Sequence, residues 1–251
     1  MIRFASLGSG SQGNALVVDA GETKVLLDCG FSTRVATARL ARLGTSAEEL
    51  AAILVTHEHG DHVAGVFSLA CRYRIPVYLT HGTHAAAARG RSGLPECRLI
   101  DGHAPFAVGS LAVQPFPVPH DAREPVQYAF SDGRHRLGVL TDSGSITPHI
   151  VDVLGLCDAL VLECNHDQTL LAASTYPARL KQRIAGRFGH LENRQAAALL
   201  QQVDARRLQH VVAAHLSQEN NRPRLAAAAL ATALGCHEDW IGVADQDGGF
   251  D

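Results

Sequence analysis

"ILVTHEHGDHVAG", residues 53–65, places His57, His59, Asp61 and His62 within six residues, directly behind an apolar run. The run "AAILVT" (51–56) reads as a buried strand, and "VAGVFSLACRYR" (63–74) has helical spacing that ends before Pro76. The four side chains therefore fall on a loop between strand and helix. This is not the H-E-x-x-H zinc helix, because position 61 is Asp rather than His. A helix would also spread His57 and His59 by about 200°. A loop at a strand end can instead turn all four side chains inward. Imidazoles suit zinc, and a carboxylate widens the choice to manganese and, less well, magnesium. Four ligand-type side chains exceed what one catalytic ion takes from a single loop, so two divalent ions sharing the loop are expected.

Two ions need further ligands, and three candidates follow other apolar strand runs. His120 follows "VQPFPVP", Asp142 follows "RLGVLT", and His215 follows "LQHVVAA". Together they offer a third His for each ion and a carboxylate to bridge them.

The strands 2–7, 14–19 and 23–28 are expected to be joined by Gly-containing turns, followed by a helix at 32–44 with Ser32 as N-cap and Gly44 as stop. Strands are expected at 77–80, 98–100, 111–117, 126–131, 136–141, 158–164 and 208–215, and helices at 82–90, 177–189, 192–203 and 223–235. Strands first, then strands alternating with helices, twice over, suit an α/β four-layer αββα sandwich formed as one domain, 1–251. A plain parallel sheet fits less well, because the first 30 residues offer hairpins and no helix. "GSGSQG" has no following G-K-[ST], so it reads as a tight turn near the metal loop rather than a phosphate cradle.

Composition narrows the setting. The 251 residues are 46% hydrophobic and 19% charged, enough for a substantial core. No leader-type N-terminus and no long apolar run is visible, so a cytoplasmic location without membrane association is expected. The six cysteines are scattered without a C-x-x-C pair, which suits reduced thiols. A net charge of −3 does not advertise a polyanion partner. One local basic stretch does stand out: Arg179, Lys181, Arg183, Arg187 and Arg194 flank His190.

The order T-H-x-H-x-D-H, His, Asp, His at strand ends resembles the metallo-β-lactamase fold of hydrolases over nearly the whole chain. The finer motifs "LGSGSQGN", "PHDAREPVQY", "ECNHD", "YPARLKQRIAGRFGHLEN" and "AHLSQENNRP" resemble its YycJ/WalJ branch, described as bacterial 5′→3′ exonucleases on DNA. "GHLEN" departs from that branch, which usually has Ser where this chain has Glu192. The resemblance implies that His57, His59 and His120 hold one ion, Asp61, His62 and His215 the other, with Asp142 between them and Asp28 orienting the His loop. It implies a hydroxide bridging the metals, positioned with the help of Asp61. His190 matches the His of the related tRNA 3′-end-processing phosphodiesterases that protonates the leaving group. Zinc β-lactamases of the main subclass carry Cys where Asp142 stands, and phosphodiesterases and thioester hydrolases carry Asp. His166, Asn193 and the five basic residues are candidate substrate contacts. The expected activity is a two-metal phosphodiesterase, with DNA as the favoured substrate. A hydrolase of a small phosphodiester, cyclic phosphate or thioester is the alternative, and a metal-bound sensor would be expected to lack a ligand, which this chain does not. Neither the metal's identity nor the oligomeric state is fixed by these residues.

Overall fold

The computed structural model describes residues 1–250. The first sheet holds β1 (Arg3–Gly8), β2 (Ala15–Asp19), β3 (Lys24–Leu27), β4 (Leu50–Leu54), β5 (Val77–Thr80) and β6 (Cys97–Ile100), side by side in chain order. The hairpins β1–β2–β3 are antiparallel, and β3 to β6 run parallel. The second sheet holds β7 (Phe106–Val108), β8 (Leu111–Pro117), β9 (Val126–Ser131), β10 (Arg136–Leu140), β11 (Ala159–Glu163), β12 (His210–Ala214) and β13 (Ile241–Val243). It repeats the scheme: antiparallel from β7 to β10, parallel from β10 to β13.

Parallel strands need crossovers, and helices supply them. Outside the first sheet lie α1 (Thr33–Arg42) and α3 (Val66–Tyr73), with the single turn α2 (Gly60–Val63) leading in and α4 (His81–Ala87) after β5. Outside the second lie α5 (Pro148–Leu154), α8 (Asn193–Gln202) and α9 (Pro223–Leu234). The short α6 (Gln168–Ala173) and α7 (Ala178–Ile184) precede α8. Between the sheets, Leu16, Leu27, Val113, Tyr128, Val161 and Val212 form the middle core. Leu26, Leu40, Ile53 and Leu69 form one outer core, and Ile150, Leu162, Leu199 and Leu230 the other. The layers are thus helix, sheet, sheet, helix, as expected. Strands with both faces covered are apolar almost throughout, as at β11, where all five residues are buried and only the last, Glu163, is polar.

The differences from the sequence reading are local. The helix expected over 177–189 ends at Ile184, because residues 186–189 turn sharply: Gly189 N–H bonds the Gly186 carbonyl and His190 N–H bonds the Ile184 carbonyl, both at 2.9 Å. The strands β7 and β13 have three residues each, too few to show a period. Helix α5 was legible but passed over: Thr147 caps it and Pro148 opens it. No helix among the described residues is long and apolar enough to cross a membrane.

The His loop is clamped to the end of β3. Cys29 N–H bonds the His62 carbonyl at 2.8 Å, and Gly65 N–H bonds the Cys29 carbonyl at 2.9 Å. A Cβ at Gly65 would collide with the Phe31 carbonyl oxygen, so only glycine permits this approach. Gly65→Ala is expected to lower stability by about 3 kcal/mol, measurable as a lower urea midpoint at unchanged slope.

Candidate metal centre

Asp28 follows β3, the His loop follows β4, His120 follows β8, Asp142 follows β10, Glu163 ends β11 and His215 follows β12. These chain ends gather on one side of the sandwich. Three of the residues leave their strands in left-handed backbone: Asp28 (φ 58°), Asp142 (φ 50°) and His215 (φ 56°). Such a conformation costs about 1–3 kcal/mol for a residue with a Cβ. Here it swings a functional side chain across the top of the sheets.

Asp28 is buried and accepts three hydrogen bonds: from Thr56 N–H and Thr56 Oγ1 at 2.8 Å each, and from His62 Nδ1 at 2.8 Å. The consequences follow from donor counting. Thr56 has one hydroxyl proton and gives it to Asp28, so at 2.9 Å Thr56 Oγ1 accepts from His57 Nδ1. His57 and His62 therefore carry their protons on Nδ1 and present bare Nε2 atoms. His120 does the same by donating from Nδ1 to the Gly189 carbonyl at 3.0 Å. His59 faces the centre through Nδ1, which lies 3.2 Å from His120 Nε2. His57, His62 and His120 are thus held in the tautomer a cation requires.

Ligand atoms converge in overlapping groups, each within 4.8 Å: His57, His59 and His120; Asp61, His62 and His215; His57, His62 and Asp142; and Asp142, Glu163, His190 and His215. Asp142 joins them, its Oδ2 3.0 Å from His62 Nε2 and its Oδ1 3.5 Å from His215 Nε2 and 3.9 Å from His120 Nε2. Asp61 Oδ2 lies 3.5 Å from both His62 Nε2 and His215 Nε2. Two atoms test the fit to a cation. His57 Nε2 and Asp142 Oδ2 are buried without a hydrogen-bond partner, a costly state that a divalent ion would relieve for both. The donor set of imidazole nitrogens and carboxylate oxygens fits such an ion.

The electrostatics agree. Burial works against charge on His215, but Asp142, Asp61 and Glu163 outweigh it and push the pKa up to about 10. Burial dominates at His57, where neighbouring His62 adds to it, and the pKa falls well below the usual imidazole range. The carboxylates thus create a demand for positive charge at the centre of a buried site.

Glu163 escaped the sequence reading, although its motif "ECNHD" did not. It is fully buried. Its Oε1 lies 2.8 Å from His190 Nδ1 and 3.3 Å from His215 Nδ1, and its Oε2 accepts the Ser143 and Leu191 N–H groups at 3.0 Å each. Burial opposes its ionisation, yet His190 and His215 outweigh it and hold the pKa down to about 2. In return, Glu163 and Asp142 overcome the burial of His190 and raise its pKa. An acid closing the apolar run "ALVLE" was the available signal. Asn14 was also missed: its Nδ2 lies 3.2 Å from His62 Nε2, and its backbone N–H bonds the Asp61 carbonyl at 2.8 Å. The "GSGSQGN" turn does stand beside the His loop.

The candidate substrate contacts divide. Arg183 Nε bonds Asp121 Oδ2 at 2.6 Å, and Asp121 Oδ1 is 3.6 Å from His120 Nε2, so Arg183 stands at the mouth. Lys181 Nζ is occupied by the Ala172 carbonyl at 2.6 Å. Asn193 is buried, with its amide paired to that of Asn221 at 3.0 and 2.8 Å, which places it in the fold rather than in the opening. Arg179, Arg187 and Arg194 are exposed. His166 is buried with Nδ1 unpartnered, and burial lowers its pKa to about 4. Glu192 at the start of α8 receives the Gln195 side chain on its backbone N–H at 3.0 Å. That difference from the usual Ser bears on helix capping.

Because Asp28 sets two tautomers through one carboxylate, Asp28→Ala is expected to weaken binding of Zn²⁺ or Mn²⁺ by about 10–100-fold, read by competition with a chromogenic chelator.

Residues 23–211 match the model of the β-lactamase superfamily domain. The chain is 35% identical over 239 residues to exodeoxyribonuclease YycJ of Bacillus anthracis, covering 93% of this chain and 89% of that one. It is 31% identical over 245 residues to exodeoxyribonuclease WalJ of Streptococcus pneumoniae, covering 96% and 91%. The metallo-β-lactamase fold protein YhfI of Bacillus subtilis superposes with a TM-score of 0.75 at 17% identity, over 98% of this chain and 97% of that one. With its two mixed sheets, flanking helices and His/Asp clusters suited to divalent cations, the chain belongs to the metallo-β-lactamase superfamily of hydrolases.

Proposed function

We propose that this single-domain chain is a cytoplasmic phosphodiesterase that removes nucleotides from DNA in the 5′→3′ direction, using two divalent ions, zinc or manganese. The observation that carries the reading is the Glu163–His190 pair, 2.8 Å long, directed at a cluster of seven ligand side chains. The similarity to two exodeoxyribonucleases over nine-tenths of the chain supports DNA as the substrate.

In this reading His57, His59 and His120 would hold one ion and Asp61, His62 and His215 the other, with Asp142 placed to serve both. When bound, such ions lower the pKa of water toward neutrality and accept charge from phosphate oxygens. The chain's own residues do the rest. Asp61 and Asp142 turn carboxylate oxygens toward the attacking water and fix its line to phosphorus. Asp61 is the more open of the two, so it meets solvent first. His190 donates a proton from Nε2 to the departing sugar oxygen, while its Nδ1–H stays on Glu163 Oε1. Glu163 stabilises the imidazolium and so keeps the acid loaded near neutral pH. Asp121 holds Arg183 at the mouth, where its guanidinium can meet a flanking phosphate. The alternative substrate, a small phosphodiester, cyclic phosphate or thioester, draws on the net charge of −3 and on the engagement of Lys181 and Arg183 within the fold.

End-labelled DNA compared with bis-nitrophenyl phosphate decides between them: the proposal requires faster turnover of DNA, released from the 5′ end, and greater turnover of the small ester would contradict it. Asp61→Ala is expected to abolish cleavage with the fold intact by circular dichroism. His190→Ala is expected to lower kcat by about 10²–10⁴-fold. In Glu163→Gln the carboxylate that raises the His190 pKa is gone, so His190 loses its proton at lower pH. The alkaline limb of the kcat–pH profile should therefore move to lower pH, and an unmoved limb would exclude His190 as the acid.

A further inference from the structure

Phe188 is 59% exposed, two residues before His190. The loop that carries it is pinned by three successive carbonyls. Arg187 C=O accepts from Ser145 Oγ at 3.1 Å, Phe188 C=O from Asp121 N–H at 2.9 Å, and Gly189 C=O from His120 Nδ1 at 3.0 Å. Gly144 lies flush beneath it: a Cβ there would collide with Gly189 N and the Arg187 carbonyl carbon. The backbone is therefore committed to the metal centre on its inner side, and the phenyl ring is left outside, held without a packed apolar cluster around it. The ring belongs to none of the three cores. The other exposed aromatic, Trp240, precedes β13 and so stands at the opposite end of the sheet from the site.

An exposed aromatic ring on a rigid loop, with cationic Arg183 and Arg187 in the same segment, has the composition of a stacking platform for single-stranded nucleic acid. Phe188 lies two residues before His190 on a loop whose Gly189 carbonyl binds His120. In the proposed reaction His190 serves the oxygen of the departing sugar, so the base borne by that sugar is the one to which this loop is nearest. We propose that Phe188 stacks on the base of the nucleotide being released, so that the protein selects a frayed or single-stranded end that bears a base. This rests on the reading of the site as a DNA phosphodiesterase. Stacking is tolerant of base identity, and purines offer the larger face, so purine ends should be held more tightly.

The test uses metal-loaded full-length protein, wild type, Phe188→Ala and Phe188→Trp, on end-labelled single strands whose 5′-terminal nucleotide is either normal or abasic. The ring is exposed, so both variants should fold, which circular dichroism checks. Phe188→Ala is expected to lower kcat/KM on the normal end by about 10-fold, mostly through KM. It should leave the abasic end unchanged, and Phe188→Trp should keep wild-type discrimination. Equal loss on both ends, or no loss on either, would overturn the stacking role. A wild-type protein that cuts both ends, with Phe188→Ala indistinguishable from it, removes the platform and leaves the nuclease reading standing. A wild-type protein that cuts neither end removes both.

Discussion

One buried carboxylate organises the site. Asp28 takes its three hydrogen bonds from Thr56 and His62, and Thr56 relays the arrangement to His57. In a dry environment those bonds are strong and their loss is costly. They decide which nitrogen of each ring carries the proton, and hence which faces the cation. Asp28 can do so only because its backbone turns left-handed as β3 ends, and because Gly65 lets the following helix approach within contact of Phe31. Fold and chemistry meet at that turn.

A second constraint is charge. Asp28, Asp142 and Glu163 are all buried around one group of histidines. Carboxylates without cations are expensive in such a place. Histidines answer part of that demand, and the unpartnered His57 Nε2 and Asp142 Oδ2 mark where a divalent cation would answer the remainder. The same excess raises the His190 pKa, so in the proposed reaction metal binding and proton donation draw on one electrostatic arrangement.

That these side chains gather was legible because each follows an apolar strand run, and a strand buried on both faces has one place for a polar group, its end. The four-layer sandwich was legible for the same reason, from strands grouped first and then alternating with helices. Glu163 was not seen as functional, since its value lies in reaching His190 and His215, 27 and 52 residues away in sequence. Asn193 was a candidate as part of the motif "GHLEN", but Asn221 occupies both ends of its amide. The early end of α7 depended on how closely the turn 186–189 packs on Gly144, which periodicity does not report.

The most direct test is a titration. Protein stripped of metal is given Mn²⁺ or Zn²⁺ in increments while cleavage of 5′-labelled DNA is followed. Two ions acting on one site require that activity be absent at the start and rise to a plateau at about two equivalents per chain. A plateau at one equivalent, or cleavage that ignores the ions altogether, would contradict the two-metal centre.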